Sequence, residues 1–271
     1  MLDWLPENVS TFGEGVDHLF HVIYYISVAI FILVNVIYVA FIIRYRRKRK
    51  GDKAYHYHGY NLLEVSWTAL PLALFLFLAL YSDRVWQDIR YSEKTPNPDL
   101  VVEVMGQQYL WHFRYPGSDG VFGRKHIRFI STTNPFGIDP DDPAGRDDLL
   151  TVNSMHIPVN KTVLVRLSSM DVIHSFFLPN MRVKQDAVPG QWIDVWFNSV
   201  KTGEYEIACA ELCGSGHYLM RAVLDVHSQN EFDQWIDEQH ENVRASIAAA
   251  GAAPDNATLA AQPDDRQSPT E

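Results

Sequence analysis

The sequence predicts a membrane-anchored all-β protein, with two helices first and a sandwich or barrel after them. Three observations predict it: two long uncharged apolar runs near the N-terminus, a basic stretch between them, and a series of short strand-like segments separated by turns.

The run "LFHVIYYISVAIFILVNVIYVAFII", Leu19 to Ile43, holds no Asp, Glu, Lys or Arg, and its length suits a bilayer crossing. No basic residue precedes it and it is long for a signal core, so a retained helix is expected. The second run, "VSWTALPLALFLFLALYS" from Val65 to Ser82, is just long enough to cross, and its Pro71 is a kink that membrane helices tolerate. Between them, "RYRRKRKGDK" places seven basic side chains against Asp52. The positive-inside rule sets this loop in the cytoplasm, with both termini outside. From Asp83 onward there are 27 acidic and 16 basic side chains. So acidic an outer portion attracts a basic protein partner and repels nucleic acid.

Strand candidates follow in "DLVVEVMGQQYLWHFRYPG", "HIRFIST", "LLTVNSMHIP", "TVLVRLSS", "DVWFNSV", "EYEIACA" and "AVLDVHS". Asn134 to Asp148, rich in Pro, Gly and Asp, reads as a surface insertion. The expected organisation is an outer segment 1–18, a transmembrane hairpin 19–82, a β-domain 83–229, an amphipathic helix 230–247 and a disordered tail 248–271.

Chemistry concentrates in "CAELCGSGHYLM", Cys209 to Met220, which contains both cysteines of the chain, with His217 and Met220 on the same connection between two strand candidates. Thiolate, imidazole and thioether form a soft donor set that favours copper over Mg²⁺ or Ca²⁺. A disulfide leaves His217 and Met220 unused, a structural zinc site leaves Met220 idle, and a single blue-copper centre has one cysteine too many. Two coppers bridged by both thiolates use every group. A second histidine must come from elsewhere: His174 is expected in a loop after "TVLVRLSS", whereas His156 and His227 fall in or beside strands. Spacing alone does not choose among them.

"CAELCGSGHYLM" resembles the C-x-E-x-C-x-x-x-H-x-x-M signature of cytochrome c oxidase subunit II, and "DVIHSFFLPNMRVKQDAVPG", "LLEVSWTALP" and "GQQYLWHFRYPG" are similar to further segments of that family in the family's order. The resemblance spans about Leu19 to Trp235 and implies a cupredoxin-like Greek-key barrel bearing a dinuclear copper centre, CuA, on a helical hairpin. It implies that Cys209 and Cys213 bridge the coppers, that His174 and His217 cap one each, and that Met220 and the Glu211 carbonyl complete the set. The Glu211 carboxylate would then reach a Mg²⁺ at the boundary with subunit I, hard oxygen suiting that ion. By the same resemblance Glu64 loads protons on the inner side, and Tyr109 and Trp111 take up electrons. Strand alternation would turn those two rings to one face.

The chain departs from the family in reading "YLW" where Trp-Tyr-Trp is usual, and in the insertion from Asn134 to Asp148. It has no Cys-x-x-Cys-His, so no haem is expected on it. The implied function is the electron-accepting subunit of an aa3-type haem-copper oxidase in a bacterial cytoplasmic membrane. It would draw on a soluble or complex-bound cytochrome c and pass electrons to haem a of subunit I, where O₂ is reduced to water with proton translocation. The alternatives are the corresponding subunit of a nitric oxide reductase and a membrane-anchored copper-delivery protein.

Overall fold

The computed structural model describes residues 5–90 and 96–251. Helix α1, Gly13–Tyr45, and helix α2, Asn61–Arg90, contain the two apolar runs and extend beyond both. At about 1.5 Å per residue each exceeds the ~30 Å hydrocarbon layer, and apolar side chains such as Phe31, Ile42, Leu70 and Phe77 face outward along them. Both helices are long and apolar enough to cross a membrane. Residues beyond 251, where most of the expected disordered tail falls, lie outside the described residues.

The chain forms two compact units. The first contains the hairpin and most of ten strands: β1 Leu100–Gln107, β2 Leu110–Tyr115, β3 Leu149–Val152, β4 Ser154–Pro158, β5 Val163–Ser169, β6 His174–Leu178, β7 Val183–Ala187, β8 Ile193–Phe197, β9 Gly203–Cys209 and β10 Arg221–His227. They build two five-stranded sheets, ordered β3-β2-β1-β5-β8 and β4-β10-β9-β6-β7. Crossed connections leave two parallel pairs, β1 with β5 and β4 with β10, among antiparallel ones. Alternating residues such as Val102, Val104, Val165, Leu167, Met155, Ile157, Ile207 and Leu224 fill the space between the sheets. This is the all-β sandwich or barrel that the series of short strand candidates predicts.

Helix and barrel join through paired polar contacts. Arg182 binds Asp17 of α1 with both carboxylate oxygens, at 2.6 and 3.0 Å, and the Trp196 indole donates to the Ile89 carbonyl of α2 at 2.8 Å. A planar guanidinium fork suits a carboxylate, which fixes this junction more tightly than a lone lysine would.

Four local expectations are corrected. "HIRFIST" is not a strand: Ile127–Phe129 is a 3-10 turn, because His126 Nδ1 accepts the Arg128 amide at 3.1 Å and curls the chain. His174 lies not in a loop but at the first position of β6. Strand β7, unpredicted, carries Lys184, Gln185 and Asp186 at a sheet edge, where charge blunts an open edge. The Asn134 to Asp148 insertion is more than surface: Phe136 is buried in the second unit, which spans 115–149 and the chain from Asp233 onward. There the Tyr115 and Trp235 rings meet edge to face, with centroids 5.4 Å apart. The terminal helix α3, Gln229–Gly251, runs slightly longer than expected.

Candidate metal centre

Strand β9 ends at Cys209 and β10 starts at Arg221, so the intervening residues form one connection anchored at both ends by sheet pairing. The Cys209 amide donates to the Met220 carbonyl at 3.1 Å, closing the connection at its base, and the Ala210 amide donates to the Ser175 carbonyl at 3.0 Å, tying it to β6. A short 3-10 turn over His217–Leu219 brings His217 and Met220 back toward the cysteines.

The six expected donors converge. Cys209 and Cys213 are both free thiols with sulfurs 3.9 Å apart. His174 Nδ1 is 3.9 Å from Cys209 Sγ, and His217 Nδ1 is 3.6 Å from Cys213 Sγ. Met220 Sδ stands 3.8 Å from Cys213 Sγ, and the Glu211 carbonyl oxygen 3.2 Å from Cys209 Sγ. His174, Cys209 and Cys213 alone place one donor atom each within 4.8 Å of one another. At this spacing the sulfurs are separate thiols, not a disulfide. Each sulfur has its own imidazole, and the thioether and carbonyl stand at opposite ends. The donor set therefore fits soft-metal binding, and copper in particular.

Electrostatics favours a thiolate at one position. Burial pushes the Cys209 thiol up, but hydrogen bonds from His174, the Ser175 and Glu211 backbone and His217 overcome it and pull it down to about 6. Cys213 is pushed up to about 11 by its burial and by the neighbouring Cys209 charge. The surroundings therefore favour the thiolate at Cys209 over Cys213.

Residues outside the expected set hold it in place. Asp171 Oδ1 lies 2.8 Å from His174 Nε2, which leaves Nδ1 facing the sulfurs. Its other oxygen accepts the Gln108 amide at 2.8 Å, while the Gln108 side chain donates to the Cys213 carbonyl at 2.5 Å. Behind His174 stands Trp111, wholly buried, with ring centroids 6.0 Å apart. Gly106 permits this approach, since a Cβ there would meet His174 at 2.8 Å. Asp171 is a carboxylate three residues before a histidine, a signal the sequence offers. Gln108 carries none.

Tyr109 and Trp111 do not share a strand face as alternation suggested, because Tyr109 falls in the β1–β2 turn and β2 starts at Leu110. The Tyr109 ring instead lies against Gly214 and Gly216 of the metal loop, with its hydroxyl 3.3 Å from Ser215 Oγ. Gly214 has φ of +136°, a conformation that favours glycine. Glu211 is exposed, and its carbonyl lies beside Cys209 Sγ. Glu64 sits far along the chain, in the first turn of α2.

Fold and donor set together define a membrane-anchored β-domain with a sulfur and imidazole metal centre. The sequence matches the cytochrome c oxidase subunit II periplasmic domain over residues 100–227 and the transmembrane domain of the same subunit over residues 3–85. It is 35% identical to the alternative cytochrome c oxidase subunit 2 of Bradyrhizobium diazoefficiens over 240 residues, 87% of this chain and 83% of that one. With the cytochrome c oxidase subunit 2 of Cereibacter sphaeroides it shares 31% identity over 221 residues, 78% of this chain and 71% of the other. A solved relative is the periplasmic domain of subunit II of cytochrome oxidase from Bradyrhizobium japonicum, at 32% identity and a TM-score of 0.41, covering 55% of this chain and 99% of that one. The chain belongs to the cytochrome c oxidase subunit II family, and so to an oxidoreductase complex in which it is one subunit. These relatives are oxidase subunits, which does not favour the nitric oxide reductase alternative.

Proposed function

We propose that this chain is the electron-accepting subunit of an aa3-type haem-copper oxidase in a bacterial cytoplasmic membrane. Its β-domain, 83–229, would stand on the periplasmic side, take electrons from a cytochrome c and pass them to haem a of subunit I, where O₂ is reduced. The observation that carries this reading is the ring of donors around two free sulfurs: His174, His217, Met220 and the Glu211 carbonyl.

Two coppers held between these groups would supply a one-electron carrier. The chain's own part is to keep the donors fixed and dry. His174, Cys213 and Met220 are each at most 4% exposed, so water has little room to reorganise there. Asp171 holds the His174 ring with Nε2 outward, and the Cys209 to Met220 hydrogen bond keeps the connection from opening. Exposed on the same connection, the Glu211 carboxylate is free to meet a Mg²⁺ at a boundary with subunit I. Glu64, in the first turn of α2 beside the basic connection, would load protons into subunit I.

Loading the full chain with copper and recording its electron paramagnetic resonance spectrum tests the centre. A delocalised two-copper pattern is expected. Cys213→Ser should abolish it, and Met220→Leu should retain copper with a shifted potential, thioether being a weak tuning ligand. A four-line single-copper pattern in the unaltered chain would overturn the reading.

A further inference from the structure

Two histidines that the proposed function leaves idle stand side by side. His156 is on β4 and His227 ends β10, and these strands pair in parallel with His156 opposite Asp225. Strand alternation puts Ser154, His156, Asp225 and His227 on one outward face, while Met155, Ile157, Leu224 and Val226 fill the core on the other.

On that outward face the two imidazoles aim ring nitrogens at each other. His156 Nδ1 lies 2.9 Å from His227 Nε2, with ring planes only 10° apart. Asp225 Oδ2 is 3.7 Å from the same His156 nitrogen. Ser154 Oγ links the remaining ends, 2.9 Å from His156 Nε2 and 3.2 Å from Asp225 Oδ2. On structural grounds alone this is a hydrogen-bond chain running Asp225–Ser154–His156–His227. That chain, however, needs a proton between two basic nitrogens, the position at which a cation of imidazole affinity fits.

We propose that His156 and His227 bind one divalent transition-metal ion of borderline softness, Zn²⁺ or Cu²⁺, with Asp225 as the nearest carboxylate. Metal–imidazole bonds of ~2.0–2.1 Å at a tetrahedral angle set the two nitrogens roughly 3.3 Å apart, so the observed gap opens by a few tenths of an ångström. The half-buried side chains can make that movement. The proton between the rings passes to the far nitrogen of His227, and both imidazoles ligate neutral. Burial holds His156 below the ordinary imidazole value, Asp225 opposing and His227 adding to it, which favours the ligating form. Glu231 also faces His227 electrostatically and would add attraction for a cation.

The site is separate from the cysteines. His227 lies at the far end of β10 from Met220, roughly 20 Å away at ~3.3 Å per residue. Its structural consequence is specific: among the described residues β4 is the edge strand of its sheet and pairs with β10, so an ion across the two clips the edge to the strand that leaves the metal loop. The clip joins residues 71 apart in sequence.

The test uses the full chain in detergent with the cysteine centre already loaded with copper. Equilibrium dialysis against Zn²⁺ should show one further equivalent bound, and its affinity should fall at least about tenfold in His156→Gln and in His227→Gln. Asp225→Asn should weaken binding by a smaller factor. Because these variants could disturb the sheet, a second measurement stands on the unaltered chain: one added equivalent of Cu²⁺ should give a resonance signal coupled to imidazole nitrogens, distinct from the sulfur-bound spectrum. Absence of the further equivalent, zinc binding undiminished in the double histidine variant, or added Cu²⁺ without nitrogen coupling would overturn the proposal. Failure of the two-copper pattern alone would leave this result readable, since the two sites share no residue.

Discussion

Asp171 Oδ1 sits 2.8 Å from His174 Nε2 and also accepts the Val172 amide at 2.7 Å, so the residue that orients the imidazole is itself fixed by the backbone. Burial works against its charge, but the bonds from the Gln108 amide, His174 and the Val172 amide outweigh it and hold the carboxyl below its ordinary value. Asp171→Asn keeps an acceptor and removes the charge, whereas Asp171→Ala removes both. Copper affinity, measured by competition with a chelator, should drop in both, by about 10–100-fold, with alanine at the larger end. Equal affinity in the alanine variant would show that His174 needs no such support.

A buried ion pair governs stability in the other sheet, between β1 and β2. Arg114 Nη1 lies 2.8 Å from Glu103 Oε2, with the side chains 0% and 3% exposed. Glu103→Ala takes a carboxylate partner from a guanidinium held away from water and should lower the unfolding midpoint by the equivalent of about 3–5 kcal/mol.

Stability should also fall in mild acid. Burial holds His112 below the ordinary imidazole value, and burial is the leading cause for His156 as well. Between those depressed folded values and about 6.5, the unfolded chain binds more protons than the folded one. The contribution is therefore complete above ~6.5 and is lost as pH falls through the folded values. Denaturant unfolding of the metal-free chain at pH 7.5, 6.5 and 5.5 should show it, with a shallower dependence in His156→Gln.

Glu64 heads α2 with its amide bonded to the Tyr60 carbonyl at 3.1 Å, a position that favourable interaction with the helix dipole explains equally well. The two roles separate in the assembled oxidase. If Glu64 loads protons, Glu64→Ala slows turnover by about tenfold, roughly 1.4 kcal/mol of barrier, while copper reduction by the donor keeps its rate. Unaltered turnover at saturating donor leaves only the dipole role.

The sequence made the helices legible because a long uncharged run has few other uses, and the metal residues legible because two cysteines, His217 and Met220 lie within twelve positions. His174 needed more, since its partners are 35 residues and further away and only the fold, through β6 beside β9, brings them together. Strand β7 escaped notice because an edge strand half made of charge lacks apolar alternation. "HIRFIST" misled for the opposite reason: its β-branched and aromatic residues suit a strand, yet the His126 side chain competes for the backbone and ends it. Asp171 and Gln108 act through other residues, and spacing shows such support only weakly.

Electron uptake divides between two rings at different depths. Tyr109 is half-buried over the Gly214 to Gly216 backbone, while Trp111 is buried against His174 and Phe176. A donor at the surface can reach Tyr109 and cannot touch Trp111. If electrons enter through the outer ring, Tyr109→Ala slows copper reduction by about tenfold and Tyr109→Phe retains most of the rate, since ring overlap and not the hydroxyl carries the path. Trp111→Ala opens a cavity beside His174 and should disturb the copper spectrum as well as the rate, costing about 3–5 kcal/mol of stability. The acidic balance of the outer portion adds an attraction for a basic donor that salt should weaken. Stopped-flow reduction at rising ionic strength, with the spectrum recorded for each variant, separates these effects. A Tyr109→Ala rate equal to the unaltered one, with no dependence on salt, would place electron uptake on another face of the domain.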